Sequence, residues 1–378
     1  MVCPPITQPP TTGNRLVVGD ALRSLCAARS ELAGSVELAL LDPPYNTRAN
    51  FHHYRDQAGH DRWLERRRAE LEALLPLLRP TGSVWVHLDD SEMHYAKVMM
   101  DGVFGRQSFV ATIVWQKTVS RENRTDISEA HEYLLVYARD RAAWRARRNL
   151  LPLGDDQLAR YANPDEDPRG AWTSGDMTAK AGPGRRAAQF YDVTLPSGRV
   201  VRPAHGMAWR FTRDRFDELM ADGRVTFGPR GDSVPRLKRF LAETRQGLVP
   251  TTWWPGAEVG TTDSAKKQLR RLFPSLVPFE TPKPEELVAR VVQIATDSGD
   301  LVLDCFAGSG TTPAVAHKLR RRWFAVEREA RTVEQFLLPR LDAVVAGADP
   351  GGVTRQADWR GGGDFFLSGL PARMTDVA

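Results

Sequence analysis

Short apolar runs of strand length, separated by segments with helical spacing, fill the chain up to about residue 141 and return after about residue 275. Arg15 to Gly19, Val36 to Leu41, Ser83 to Leu88, Ala111 to Trp115 and His131 to Tyr137 read as strands in the first stretch. Leu301 to Asp304 and Arg322 to Glu327 read as strands in the second, and the tail stretch Gly361 to Leu367 as a last edge strand. Helical periodicity lies between them, at Ala21 to Ala28, Asp61 to Leu78, Ser91 to Met100 and from Pro284 through Ile294. Alternation of this kind predicts an α/β fold with a largely parallel sheet, to which both ends of the chain contribute. The Val36 strand is expected beside the Leu301 strand, across the point where the sheet changes winding direction.

Residues 142–275 break the pattern. Their segments are short, interrupted by Pro and Gly, and rich in Arg and Trp, as at Leu195-Pro-Ser-Gly198, Gly228-Pro-Arg-Gly231 and Trp253-Trp254-Pro255. This predicts an inserted region of small β elements and loops that adds no strand to the sheet. The resulting division is a disordered leader at 1–13, one half of a catalytic domain at 14–141, the insert at 142–275, a second half at 276–345 and a tail at 346–378.

Length and charge narrow the picture only modestly. The chain has 378 residues with a net charge of +5, which suits a polyanionic partner without requiring one. Three cysteines, Cys3, Cys26 and Cys305, are too scattered for a disulfide framework or a Cys-x-x-Cys metal site, and point to a reducing interior. No run approaches the twenty apolar residues of a membrane span and no signal-peptide core is present, so a soluble, cytoplasmic protein is expected.

Candidate chemistry begins at Asp42-Pro43-Pro44-Tyr45. Two successive prolines forbid helix and force an extended exit, which fixes the Asp42 carboxylate and the Tyr45 ring at the carboxyl end of the Val36 strand. Open α/β sheets bind their ligands at that edge. The set suits methyl transfer to an amino group conjugated to a flat ring. Such a nitrogen is a poor nucleophile, and a site must accept its N–H bonds while the lone pair localises. Asp42 can accept one, the Pro43 carbonyl another because Pro44 has no N–H, and Tyr45 offers a stacking face. Four residues alone fit an ordinary Asp-Pro turn with a surface tyrosine equally well, so a second motif decides.

That motif is Asp304-Cys-Phe306-Ala-Gly308-Ser309-Gly310-Thr311-Thr312-Pro313, a strand end, a glycine turn and a helix start. A phosphate loop would need Lys before the Ser/Thr pair, and a dinucleotide fingerprint a third glycine where Pro313 stands. Glu327 ends the following strand, where a ribose hydroxyl would be bound. A ribose without a pyrophosphate fits S-adenosylmethionine. Methylation of a cytosine ring carbon needs a thiolate, usually in a Pro-Cys setting, and none occurs.

Together these stretches resemble the beta class of DNA amino-methyltransferases, in particular the modification subunits of type III restriction systems and their solitary relatives. The resemblance rests on Gly19-Asp20, Asp42 to Thr47, Thr281-Pro-Lys283-Pro284, Asp304 to Thr312 and Glu327, in the order catalytic motif, variable region, cofactor motif, and covers about Asn14 to Phe366. Arg48-Ala49-Asn50 departs from it, and the chain is shorter than a typical type III subunit. The resemblance implies a Rossmann-like, S-adenosylmethionine-dependent methyltransferase sheet with an inserted DNA target-recognition region. It implies catalysis by Asp42, Pro43, Pro44 and Tyr45, and cofactor binding by Asp20 near the adenine, Thr281 and Lys283 near the methionine moiety, and Asp304, Phe306, Gly308, Ser309, Gly310, Thr311, Thr312 and Glu327. The expected partner is double-stranded DNA, with the target base flipped out of the helix. Adenine N6 is the first expectation and cytosine N4 the second. Transfer to RNA or protein amino groups, or an inactive DNA-binding relative, are the readings from other classes. No metal is called for, a homodimer is allowed, and a nuclease subunit cannot be deduced. Outside the two motifs, Tyr54 is a candidate for holding a flipped base and the basic loop from Gln116 to Glu129 for touching phosphates, whereas Arg66 to Arg68 read as a solvated helix face.

Overall fold

The computed structural model describes residues 13–47, 59–181, 187–244, 247–277 and 279–369. The chain divides into two units, one from residues 1–149 and 250–378, the other from 150–249. Residues 1–12 of the expected leader, Arg48 to Asn50 and Tyr54 lie outside the described residues.

The first unit is built on a nine-stranded sheet. Its strands in chain order are β1 (Asn14–Val18), β2 (Val36–Leu41), β3 (Leu78–Leu88), β4 (Phe109–Gln116), β5 (His131–Ala138), β6 (Trp253–Trp254), β7 (Leu301–Asp304), β8 (Arg322–Glu327) and β9 (Phe365–Ser368). Across the sheet they run β6-β4-β5-β3-β2-β7-β8-β1-β9. β5 is antiparallel to both its neighbours, and the other pairings are parallel. Every residue of β2 and β7 is buried, as expected of central parallel strands covered on both faces. Their neighbours register as expected, with Val302 opposite Leu38 and Leu303 opposite Ala39. From β7 the chain continues through helix Thr311–Lys318 to β8 on one side. From β2 it continues through helix His60–Leu74 to β3 on the other, so the loops leaving the two strands diverge and open a crevice.

Alternation along the strands supplies the two faces. Ala39, Leu41, Val84, Val86, Leu88 and Leu303 join a core with Leu25, Trp63, Leu71 and Met100 from the helices on one side. Helix Glu285–Ala295, buried along most of its length, packs with β2 and with helix Thr311–Lys318. β3 begins at Leu78, earlier than the glycine suggested: Gly82 lies within the strand where the register with β2 shifts, and a Cβ there would come 2.7 Å from the Val36 carbonyl oxygen. The long helix correspondingly stops at Leu74.

Two expectations are corrected. The irregular unit spans 150–249, narrower than 142–275. Helix Arg141–Arg147 packs on β3, and β6 extends the sheet by pairing with β4, so residues 250–275 do add a strand. A two-residue strand is too short to show alternation. The Arg66 to Arg68 stretch is also not simply solvated, because Arg67 is buried against the Phe306 ring, 4.8 Å from its centroid, and pairs with Glu70. β9 forms the expected edge strand on β1.

The second unit is an assembly of small β pieces. Trp172–Asp176, Arg236–Phe240 and Val225–Thr226 make a three-stranded antiparallel sheet, and Thr178–Lys180 pairs with Met207–Trp209. Helix Arg213–Ala221 buries Phe216 and Leu219 in a core with Met177, Val193, Trp209 and Phe227. No described helix is long and apolar enough to cross a membrane.

Candidate active site

Strand β2 ends at Leu41, and the two prolines carry the chain straight out of the sheet. Pro43 is buried, and the Pro44 carbonyl accepts a 2.6 Å hydrogen bond from the Trp63 indole. Among the described residues no hydrogen bond reaches the Pro43 carbonyl, which is the acceptor expected to stay free. Asn46 then adopts a left-handed φ of 63°, which Asn tolerates better than most residues. Its amide donates to Glu92 at 2.7 Å, and Glu92 is also 2.8 Å from His60 Nδ1. The loop is thereby fastened on both sides of Tyr45.

Asp42 and Tyr45 belong to a cluster of charges that only the structure reveals. The Tyr45 hydroxyl lies 2.8 Å from Asp42 Oδ1 and 3.0 Å from Glu132 Oε2. The Lys283 ammonium lies 2.8 Å from Asp42 Oδ2 and 3.5 Å from Glu132 Oε2, and 5.1 Å from the centre of the Tyr45 ring. Lys117 approaches the other Glu132 oxygen at 3.5 Å. Burial, then the Asp42 and Glu132 charges, push the Tyr45 phenol well above its ordinary value, so it remains a neutral donor. His87, on the same face, is fully buried, and neither ring nitrogen has a hydrogen-bond partner among the described residues. Burial, then nearby Lys283, lower its imidazole to about 3, so it is neutral.

The glycine turn stands beside this cluster. Gly308 and Gly310 have φ of 49° and 80°, which favour glycine. The Gly308 N–H donates to Glu327 at 2.7 Å and the Phe306 N–H to Asp304 at 2.9 Å, so both predicted carboxylates hold the turn. Burial raises Glu327 above its ordinary range. Burial also raises Asp304 to about 7, with Asp42 and Glu327 adding to the effect and the Phe306 amide and Thr312 hydroxyl opposing it. Behind the turn, Arg340 donates to the Ser309 carbonyl at 3.2 Å, to the Thr311 hydroxyl at 3.0 Å and to Glu285 at 2.8 Å. Glu285 also holds the fully buried Lys318, at 2.8 Å. The Thr311 hydroxyl in turn donates to the Lys283 carbonyl at 3.3 Å, tying the Thr281 to Pro284 loop to the turn.

These loops enclose a cleft of about 390 Å³, its open mouth included, lined among others by Asp42, His87, Thr281, Lys283, Asp304 and Thr312. Phe306, Gly308, Ser309 and Thr311 line it as well. Asp20 does not. It caps helix Ala21–Ala27 through the Arg23 N–H at 3.2 Å and pairs with Arg66. It still shares the ligand edge, because β1 registers Val18 against Glu327. Asp89 is occupied as a turn acceptor for the Ser91 N–H at 2.9 Å. Sequence reasoning missed Glu132, Glu92, His87 and Arg340. A signal existed for Glu132 and His87, since each is a polar residue within an apolar strand.

The chain is similar to known proteins over most of its length. Over 364 residues the chain is 29% identical to the Mod subunit of the type III restriction-modification enzyme StyLTI of Salmonella typhimurium, covering 88% of this chain and 53% of that one. It is 25% identical over 393 residues to the EcoP15I Mod subunit of Escherichia coli, covering 86% and 58%. The chain thus spans a little over half the length of these curated relatives. A putative DNA modification methylase of Thermus thermophilus, solved with S-adenosyl-L-methionine, is similar over 95% of this chain and 99% of that one, with 18% identity and a TM-score of 0.44. The family model described as DNA methylase, of the N6/N4 methyltransferase type, matches residues 36–337, from the first residue of β2 through the glycine turn and β8, and the chain belongs to that family.

Proposed function

We propose that this chain transfers a methyl group from S-adenosylmethionine to the exocyclic N6 amino group of adenine in double-stranded DNA, with the base flipped into the cleft. The observation that carries the reading is the pairing of β2 with β7, which sets an amino-group acceptor, Asp42, beside a glycine turn flanked by carboxylates. The cleft suits this cofactor chemically. Asp42, Asp304 and Glu327 would repel a pyrophosphate, and Lys283 is already engaged by Asp42. The same carboxylates suit ribose hydroxyls and positively charged groups. Gly308, Ser309, Gly310, Thr311 and Thr312 would hold the methionine end with Thr281, while Glu327 and Asp20 serve the ribose and adenine.

When bound, the cofactor supplies an electrophilic methyl on a sulfonium. The protein's part is to hold the acceptor nitrogen in line with it. In the resting site both Asp42 oxygens are taken, one by the Tyr45 hydroxyl and one by Lys283. An entering amino group replaces the Tyr45 hydroxyl at Oδ1 and gives its second hydrogen to the Pro43 carbonyl, while the Tyr45 ring stacks on the base. Both bonds favour the nitrogen as its lone pair leaves conjugation, and Asp42 or water takes the proton after attack.

Residues 150–249 are assigned to target recognition, supported by their placement between the two halves of the sheet in the sequence and by exposed arginines such as Arg202 and Arg230. A cytoplasmic location and, by likeness to the Mod subunits, a restriction subunit as partner belong to the same reading. The test is incubation of the purified chain with DNA and labelled S-adenosylmethionine, followed by mass spectrometry of the nucleosides. N6-methyladenine is expected. N4-methylcytosine alone would move the assignment to the other base, and no labelled nucleoside would refute it.

A further inference from the structure

Glu132 has no part in the reading above, yet its position has a cost that calls for a reason. It is the second residue of β5, the strand that runs against its neighbours. Antiparallel direction brings the amino end of β5 to the edge where β2, β3 and β7 end, with Tyr133 opposite Leu88. A carboxylate is thereby delivered against Tyr45 and Lys283 and buried there, 7% exposed. Removing a carboxylate from water is expensive unless it is paired and hydrogen-bonded. Its Oε2 faces the Tyr45 hydroxyl and Lys283, and its Oε1 faces Lys117.

The Tyr45 phenol has one proton and two carboxylates within reach, Asp42 at 2.8 Å and Glu132 at 3.0 Å. If Asp42 were its sole acceptor, the hydroxyl would compete with the target amino group for Oδ1. It would also lose its anchor whenever the amino group won. Lys283 presents the matching problem, since its charge is shared between the same two carboxylates. Without Glu132 more of that charge would fall on Asp42 and weaken it as an acceptor.

Building on the amino-methyltransferase reading, we propose that Glu132 is a positioning residue for this reaction. It takes the Tyr45 hydroxyl when Asp42 turns to the base, keeps the ring in its stacking plane, and draws part of the Lys283 charge away from Asp42. Glu132 touches neither base nor cofactor and acts through Tyr45 and Lys283.

The test compares the unsubstituted chain with Glu132→Gln, Glu132→Ala, Tyr45→Phe and the double variant Tyr45→Phe/Glu132→Ala, on duplex DNA carrying the site that methylation profiling defines. Loss of a hydrogen bond to a charged group implies that Glu132→Ala slows single-turnover methylation roughly tenfold to hundredfold, while cofactor affinity by calorimetry stays within about twofold. Glu132→Gln, which keeps the volume and an acceptor oxygen, should fall between it and the parent. In the Tyr45→Phe background, the cost of Glu132→Ala should shrink to about threefold, because the shared hydroxyl is already gone. With 2-aminopurine at the target position, Glu132→Ala should give brighter emission from the flipped base as the Tyr45 ring loosens. Fully additive costs, or an equal loss of cofactor affinity and rate, would overturn the proposal in favour of a structural role. Parental rates in both Glu132 variants would overturn it outright. An unsubstituted chain that methylates no nucleic acid would overturn the amino-methyltransferase reading itself, and this proposal with it.

Discussion

Asp304→Asn should make the ligand-free protein more stable, and by an amount that grows with pH. Asp304 is buried, 4% exposed, at the end of β7, and its carboxyl is raised from 3.8 to about 7 in the folded chain. Burial is the chief cause, and the Asp42 and Glu327 charges add to it. Below about pH 4 the group is protonated whether the chain is folded or not and contributes nothing to the pH dependence. Between the two values the unfolded chain has lost the proton and the folded chain keeps it, so stability falls as pH rises. Above about 7 the fall is complete. The interval is about three pH units at ~1.4 kcal/mol each, an upper bound of about 4 kcal/mol. Asparagine keeps an oxygen for the Phe306 N–H and has no charge to desolvate. Denaturant titrations of the two chains without cofactor should therefore agree near pH 4 and diverge steadily to pH 8, and their melting temperatures should differ by at most about 5 °C at the alkaline end. A constant difference across that range would refute the claim that the Asp304 charge is what the fold resists.

Asp42→Ala or Tyr45→Ala should abolish methyl transfer while leaving cofactor affinity largely intact, since both serve the acceptor base; substantial residual transfer of labelled methyl by Asp42→Ala would sink the assignment. Gly308→Val or Gly310→Val should remove cofactor binding measured by calorimetry. Their φ values disfavour a branched residue, and a Cβ at Gly310 would already stand 3.1 Å from Leu337. Replacing residues 150–249 by a short Gly/Ser linker should preserve cofactor binding and lose sequence preference in bisulfite-free methylation mapping; retention of the parent's preference would move recognition to the loops around the cleft. Within that unit, arginine changes that weaken all DNA equally should also reduce the salt dependence of binding, as phosphate contacts do.

Much of the sheet was legible because its central strands are buried on both faces and therefore written as largely apolar runs, as in Leu38 to Leu41 and Trp323 to Val326. β6 was not, because it holds its place through two residues and the packing of the Trp254 ring, which carry no period. The same contrast runs through the site. Asp42, Asp304 and Glu327 stand at strand ends, where a carboxylate after an apolar run is conspicuous. Glu132 stands at a strand start, and only the reversed direction of β5 brings it to the same edge. Direction is a property of the assembled sheet and cannot be read from a single run. Lys283 was expected at the methionine moiety, and although it lines the cleft, its ammonium is spent on Asp42 and Glu132. Arg340 and Glu285 lie far apart in the chain on buried helix faces, where polar residues ordinarily read as solvated, so their meeting behind the glycine turn left no local trace.

The adjacency of β2 and β7 also sets an order of events during synthesis. Strands β2, β3, β5 and β4 can assemble soon after residue 138 leaves the ribosome, but β2 is then an edge strand. Its eventual neighbour follows about 260 residues after it, which at 5–20 residues per second is roughly 13–50 s of waiting. Throughout that interval an apolar strand with unpaired backbone groups is open to any other strand, including the β2 of a neighbouring nascent chain. The catalytic motif lies at the end of this open strand, and Lys283, the ion-pair partner of Asp42, arrives only with the cofactor half of the chain. Slowing translation beyond residue 249 should increase aggregation, whereas a rearranged gene that encodes residues 276–369 ahead of residues 14–149 should shorten the exposure and raise the soluble yield.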